Sequence, residues 1–490
     1  MRFTALCDLL TRFHGARVVV LGDVMLDRYV YGSVERISPE APIPVIDVQR
    51  IVDTPGGAAN VARSAAALGA QVILLGVVGD DAGAEDLRLQ LADSPTVEMR
   101  LVTDASRPTS VKTRYVAEGQ QVMRADRESR STLCAAIERL VLERFSASLA
   151  DADVVVLSDY AKGVLCDSLT RAAIDLARGA GKTVVVDPKS KDFGRYRGAT
   201  VLTPNRLELQ RACGRDCTAP AEVAAAAQSI LAQGICEYLV VTRGKEGMSV
   251  IGKEAPPVHL PTSARQVFDV SGAGDTVVAA LSLALAAGGE IADVAALANI
   301  AAGIAVGKRG TATVTAGEII AAAAPFDGAK DPQKIFSLDS VIRLARAWRE
   351  MGLKIAFTNG CFDLLHPGHL SLLDRARQSA DRLIVGLNAD LSVRRLKGPD
   401  RPVQSEVARA TVLAAVKSVD AVVIFAEDTP LGLIEMLEPD VLVKGAEYTQ
   451  ETVVGADLVS KRGGEVLFAP ILPGHSTSET VQRVAALSRK

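Results

Sequence analysis

The stretch FDVSGAGDTVVAALSLALAAGG, Phe268–Gly289, decides how the chain is read. Ser271-Gly272-Ala273-Gly274 opens an Ala/Leu/Val-rich segment of helical character. Residues this small let backbone N–H groups approach a phosphate, and the positive end of the helix dipole adds to the attraction. Asp275 falls in the first turn. A carboxylate there can take the proton from an attacking hydroxyl while the N–H groups stabilise charge on the phosphoryl group. The same letters also suit a plain cap on a buried helix, so the surrounding sequence has to arbitrate.

A second phosphate-type pattern follows in FTNGCFDLLHPGHLSLL, Phe357–Leu373. His366 and His369 bracket Pro367-Gly368 ahead of another helical segment. Proline costs little at a helix start, because its missing N–H would be unpaired anyway. Two imidazoles at that point can donate to phosphate oxygens as charge builds on an α-phosphoryl group under attack. A zinc reading fails for want of further ligands at sensible spacing.

Outward from these two stretches, the 490 residues suggest two to four domains at roughly 100–200 residues each. The balance of 48% hydrophobic and 23% charged residues is that of an ordinary globular protein. A net charge of −3 gives no general electrostatic case for nucleic-acid binding. Seven cysteines are scattered, and the nearest pair, Cys213 and Cys217, has no second pair to complete a metal site. This usage fits a reducing compartment. The N-terminal stretch lacks a secretory apolar region. The longest apolar run, Val277–Gly289, is too short to span a bilayer. A cytoplasmic protein with neither membrane nor nucleic-acid partner is expected.

Near-continuous Val/Leu/Ile runs alternate with Ala-rich amphipathic segments, as in RVVVLGD, GGAANVARSAAALG and QVILLGVVGD, which predicts parallel α/β layering. The polar, Pro-punctuated segment from Tyr29 to about Asp53 predicts a small sheet or lid instead. The rhythm breaks over 324–340, taken as a linker. It restarts with KIAFTNGCFD and RLIVGLNAD. The expected division is therefore 1–323, a linker at 324–340, and 341–490.

Together with GAGD, the stretches GGAANVARSAAALG from Gly56, LTPNRLEL from Leu202 and VVTRGKEGMSV from Val240 resemble, in that order, the ribokinase-like sugar kinases over about residues 10–320. The resemblance implies a three-layer α/β domain with a β lid. It implies Asp275 as catalytic base and Gly272, Ala273 and Gly274 as an anion hole. Asn205, Arg206, Leu207 and Glu208 are implied to arrange Mg²⁺–ATP phosphates, and Thr242, Arg243 and Gly244 to form the nucleotide-side loop. Asp23, Asp27, Gly56, Gly57 and Asn60 are implied at the sugar end. Paired carboxylates and an amide suit a polyol, whose hydroxyls donate hydrogen bonds. Lys189, Arg107, Lys112 and Arg114 are candidates for an anionic group on the sugar. No residue is assigned as a direct metal ligand.

GCFDLLHPGH resembles the HxGH nucleotidylyltransferases over about residues 345–480, implying a Rossmann-like second domain. His366 and His369 then match the groups that stabilise the pentacoordinate transition state. Thr358, Gly360, Phe362 and Asp363 match the nucleotide-contacting strand end, and Lys397 matches a loop lysine facing triphosphate. Arg401 and Arg409 are further basic candidates. Ser476, Thr477 and Ser478 match a later phosphate-contacting segment. Glu447 stands where Asp is expected.

A kinase followed by a nucleotidylyltransferase makes a nucleotide sugar from a sugar precursor. In this order, and with VMLDRYVYGSVERISPEAPIPV near the start, the chain resembles the bifunctional heptose enzymes of Gram-negative bacteria. That implies phosphorylation of D-glycero-β-D-manno-heptose 7-phosphate at C1, then adenylyl transfer from ATP to heptose 1-phosphate, giving ADP-heptose for the lipopolysaccharide core. A separate phosphatase must act between the two steps, and a homodimer through the first domain is expected. The residues alone leave two alternatives: a polyol kinase fused to a cytidylyltransferase, or a sugar-phosphate sensor with inactive sites.

Overall fold

The computed structural model describes residues 3–263, 267–308, 310–323, 334–350, 352–446 and 448–469. Glu447, Ser476, Thr477 and Ser478 lie outside the described residues. Contacts divide the chain into a unit of Asp8–Ile319 and a unit of Ile320–Lys490, Arg2–Cys7 being counted with the second.

The first unit is built on a nine-stranded sheet. Its spatial order is Val258–Leu260, Met248–Gly252, Cys236–Thr242, Ala199–Leu202, Thr183–Asp187, Val154–Ser158, Arg17–Gly22, Gln71–Leu75 and Val97–Met99. From Cys236–Thr242 onward every pairing is parallel, and the first two strands close one edge antiparallel. All five residues of Val154–Ser158 are buried, as expected of a strand covered on both faces. The helix Asp167–Gly179 buries Leu169, Ala173, Ile174 and Ala177, a spacing that puts one stripe onto the sheet's core.

The helix Ala273–Ala286 is different: Asp275 to Ala284 are all buried. It packs against Ile291–Ala305 and Ala58–Ala67, whose alanines allow close approach. Its start is fixed by Gly272, whose φ of 76° is one that a side-chain-bearing residue adopts at a cost. Asp269 braces the turn, accepting from Ser271 N at 2.9 Å and Gly310 N at 3.2 Å.

The expected lid is a four-stranded sheet in the order Pro44–Gly57, Val24–Ile37, Ser110–Ala117, Gln120–Arg127. It recruits the 110–127 hairpin, which the sequence did not single out as lid. The parallel pairing of Val24–Ile37 with Ser110–Ala117 sets Asp27 beside Lys112.

The second unit has a six-stranded, wholly parallel sheet in the order Ile335–Phe336, Ala421–Phe425, Arg382–Asn388, Ile355–Gly360, Val441–Gly445, Glu465–Ala469. The chain winds one way from Ile355–Gly360 and returns on its other side, so the carboxyl end of that strand lies at a topological switch point. Of the expected linker, 324–333 lie outside the described residues. Ile335–Phe336 forms an edge strand in register with Val422 and Val423, and the helix Leu338–Glu350 opens before 341. A two-residue strand is too short for periodicity to expose. Among the described residues no helix is long and apolar enough to cross a membrane.

Candidate active sites

In the first unit the carboxylate of Asp275 is buried and holds two donors. Asn60 Nδ2 donates to Oδ2 at 2.6 Å, and the Tyr160 hydroxyl donates to Oδ1 at 2.6 Å. Burial raises its pKa to about 6, against the lowering effect of those hydrogen bonds. Asn60 is itself oriented by Arg63, which donates to Asn60 Oδ1 at 2.9 Å and to Thr311. Gly272 lies so close that a Cβ there would sit 2.9 Å from Asn60 Nδ2, whereas a Cβ at Gly274 would meet open space. The helix N-terminus is therefore accessible on its Gly274 side.

Five of the predicted nucleotide residues converge. A cleft of about 460 Å³ is lined by Asn205, Thr242, Gly244, Ala273, Gly274 and Asn299, among others. Asn205 caps its helix in a reciprocal box: its Oδ1 accepts from Glu208 N, and Glu208 Oε2 accepts from Asn205 N, both at 2.9 Å. A backbone bridge joins Asn205 to Thr242, and Arg206 pairs with Glu246 at 3.0 Å, tying the two loops together. Leu207 is exposed. Arg243 is buried and turned inward, donating to Met248 O and Leu260 O at 3.4 Å, so it props the loop.

The sugar-end residues separate into two groups. Asn60 holds Asp275, Asp27 is close enough to act on its charge, and Gly56 lies against Asp27, while Gly57 backs onto the Asp23 carbonyl. Asp27 pairs with Arg114 at 2.5 Å, and a Cβ on Gly56 would collide with the Asp27 carboxylate. Asp23 does not present its carboxylate to that space. It accepts from the backbone N–H groups of Tyr160 at 2.8 Å, Lys162 at 3.0 Å and Val164 at 3.1 Å, and so clasps a loop. Lys189 is likewise displaced from the sugar end: it pairs with Glu208 at 2.7 Å. Arg107 is buried on backbone carbonyls of Lys162 and Ser129. Lys112 remains, half-buried, its ammonium 5.4 Å from the centre of the Tyr160 ring and its pKa lowered by desolvation.

In the second unit His366 is the N-cap and Pro367 the first residue of the helix Pro367–Gln378. The imidazoles of His366 and His369 stack with centroids 3.8 Å apart, and Phe362 packs on His369 at 5.1 Å. Burial, the adjacent His366 and Lys397 push the His369 pKa down to about 4. Lys397, exposed at the end of the helix Asp390–Lys397, is thus near the pair. Phe362 has a φ of 43°, a left-handed conformation that strains a bulky residue. Gly360 lies beneath it, where a Cβ would be 3.2 Å from the ring. Thr358 is fully buried.

Three predicted polar groups serve the scaffold. Asp363 pairs with Arg401 at 2.5 Å and accepts from Val403 N at 2.8 Å, pinning the following loop. Arg409 is fully buried. It donates to Cys361 O at 2.6 Å, Asn388 O at 2.9 Å and Asp390 Oδ1 at 2.7 Å. Sequence reading missed Tyr160, Arg63 and the Lys444–Asn359 contact at 2.6 Å. The usable signal for Tyr160 was its place just past the carboxyl end of a buried strand, where α/β sheets bind ligands.

Comparison with known proteins agrees with both halves. Residues 16–316 match the family described as pfkB family carbohydrate kinase, and residues 357–478 the one described as cytidylyltransferase-like. The chain is 53% identical over 483 residues to "Bifunctional protein HldE" of Caulobacter vibrioides, covering 98% of this chain and 99% of that one. It is 48% identical over 481 residues to the protein of that name from Paramagnetospirillum magneticum, with 98% and 99% covered. Among solved structures it resembles Arabidopsis thaliana ribokinase complexed with ribose and ATP, with a TM-score of 0.52 at 20% identity, over 63% of this chain and 98% of that one. Escherichia coli phosphofructokinase-2 in complex with potassium gives 0.53 at 23%, over 62% and 97%. At those identities the structures speak to fold alone, but the near-full-length relatives speak to the whole chain. Both units, in this order, place the chain in the bifunctional HldE family.

Proposed function

We propose that the chain phosphorylates D-glycero-β-D-manno-heptose 7-phosphate at C1 with ATP, then transfers an adenylyl group from ATP to heptose 1-phosphate, releasing pyrophosphate and forming ADP-heptose for the lipopolysaccharide core. One observation carries this reading. A buried carboxylate at a glycine-opened helix and a stacked imidazole pair at a second helix start occur in one chain, each in its own α/β unit.

In the first reaction the C1 hydroxyl attacks the γ-phosphorus of ATP. An O–P bond forms, the bond to the β-phosphate oxygen breaks, and Asp275 takes the hydroxyl proton. A pKa near 6 suits this role: the group is ionised at neutral pH yet more basic than an ordinary aspartate. The N–H groups of Gly272–Gly274 stabilise the charge on the transferred group. Asp27, with Asn60, binds sugar hydroxyls, and Lys112 and Arg114 face the substrate's own phosphate. Magnesium neutralises phosphate charge when bound. The donor set fits an ion carried in by the nucleotide: among the described residues no group of three or more His, Cys, Asp or Glu could cage one, and Mg²⁺ typically binds through one or two carboxylates plus phosphates. Asn205, which lines the cleft, would face the ion through the nucleotide phosphates, with Glu208 holding Asn205 in place through the capping box.

In the second reaction an oxygen of the sugar 1-phosphate attacks the α-phosphorus of ATP, and pyrophosphate leaves. His366 and His369 donate to the non-bridging oxygens. With its pKa near 4, His369 does so as a neutral N–H donor. Lys397 offsets charge on the departing pyrophosphate.

The enzyme works in the cytoplasm, with a separate phosphatase removing the 7-phosphate between steps. It is a homodimer through the lid, supported by the exposure of Ile37 (61%), Ile43 (56%) and Ile51 (57%) there. The first catalytic half ends by residue 323, and the second begins by the edge strand Ile335–Phe336. The test is mass spectrometry of products from purified protein given heptose 7-phosphate or heptose 1-phosphate with ATP or CTP. ATP should give the 1,7-bisphosphate from the first and ADP-heptose with pyrophosphate from the second. A cytidylyl product, or none, would overturn the assignment.

A further inference from the structure

The Asp275 carboxylate has its two oxygens held by different elements, and the Tyr160 side has the longer support. Val154–Ser158 ends beside Arg17–Gly22 in the sheet, and the chain then turns through residues 159–164. Asp23 gathers three N–H groups of that turn, those of Tyr160, Lys162 and Val164, onto one buried carboxylate. Asp159 Oδ1 accepts from Ala161 N at 2.7 Å, and Ala161 sits at a φ of 54°. Lys112 covers the Tyr160 ring from the lid. A turn braced this heavily fixes its one aromatic side chain, and that side chain ends on Asp275.

We propose that Tyr160 is the positioning residue of the phosphoryl-transfer site: its hydroxyl holds one oxygen of Asp275, leaving the carboxylate aimed at the sugar hydroxyl, and Asp23 acts by locking the turn that carries Tyr160. This rests on Asp275 being the base. It gives Asp23 a part in the reaction, although its carboxylate is used up on backbone amides. It also explains why a phenol rather than a second amide stands here. Burial and nearby carboxylates hold the phenol pKa well above its usual value, so Tyr160 stays a donor throughout the working pH range. The other groups that face Asp275 are Asn60 on its second oxygen, Asp27 and Lys112 from the lid, Arg63 from the neighbouring helix, and Asp187 from the next strand. All of them remain when Tyr160 alone is altered.

Removing a hydrogen bond to the charged form raises a carboxyl pKa. The acid limb of the kcat/KM profile for sugar phosphorylation should therefore move up by about one to two pH units in Tyr160→Phe. Replacing Tyr160 by 3-fluorotyrosine, a stronger donor of nearly the same shape, should move it down. KM for ATP and the rate of adenylyl transfer should stay as in the parent, which also reports on folding. An ordering Phe above Tyr above fluorotyrosine supports the role. An acid limb that does not move, or that moves the same way in both variants, overturns it. Asp275→Asn separates the two readings: if that variant still phosphorylates sugar at the parent rate, the base assignment itself fails. If it is inactive while the Tyr160 variants leave the limb unmoved, only the positioning role fails.

Discussion

At Asp275, burial and hydrogen bonding pull in opposite directions, and burial prevails: the carboxyl rises from 3.8 to about 6, a net effect on the order of 3 kcal/mol. The base is therefore protonated, and idle, on the acid side of that value. Sugar phosphorylation should fall about tenfold per pH unit below pH 6 and level off above it, in a kcat/KM profile at saturating ATP. Asp275→Asn should lower that activity by roughly 10²–10⁴-fold and leave adenylyl transfer untouched. His369 shows the reverse case. Its pKa is pushed down to about 4, so it is already neutral at pH 6 and above. Adenylyl transfer should then show no step near pH 6.5 owing to this residue, while His369→Ala should slow it roughly 10²–10³-fold. A step at 6.5 that vanishes in His369→Ala would contradict the neutral-donor account.

At the scale of elements, the helix Glu406–Ala414 shows how far a predicted ligand can be from a ligand's work. Arg409, whose own side chain is out of solvent, joins that helix to Cys361, Asn388, Asp390 and Gln404 by four hydrogen bonds. Arg409→Met should destabilise the second unit by roughly 3–5 kcal/mol, because the partners are left buried and unpaired. Urea unfolding followed by Trp348, the chain's single tryptophan, reads this unit directly. Motifs whose function is backbone geometry were legible beforehand: Gly272–Gly274 and His366–Pro367 both lie at helix starts, as their letters require. Charged residues were less legible. Asp23, Asp363 and Arg409 read as ligands because their sequence neighbours suggest a site, yet the fold brings them other partners: backbone groups for all three, with Arg401 for Asp363 and Asp390 for Arg409. The edge strand Ile335–Phe336 escaped for a plainer reason, since two residues carry no period.

For the whole molecule, the alternation of buried strands with amphipathic helices told of two α/β units, and each sheet has the parallel core that alternation implies. Lid topology was less visible, because the strand Ser110–Ala117 lies far in sequence from the one it pairs with. Separate cores with separate sites predict that the two activities are independent. A chain cut between Asp331 and Lys334, which keeps the edge strand Ile335–Phe336 with its sheet, should yield two folded fragments, each with its own activity, and loss of either on cutting would place essential structure across the join. The most direct test needs no cutting. Asp275→Asn and His369→Ala proteins are each supplied with heptose 7-phosphate, ATP, magnesium and a phosphatase that removes the 7-phosphate from the 1,7-bisphosphate alone, and ADP-heptose is measured by mass spectrometry. The account predicts little product from either protein alone and near-parental formation from an equal mixture, the intermediate passing through solution. A mixture as inactive as its components would contradict two independent sites in one chain.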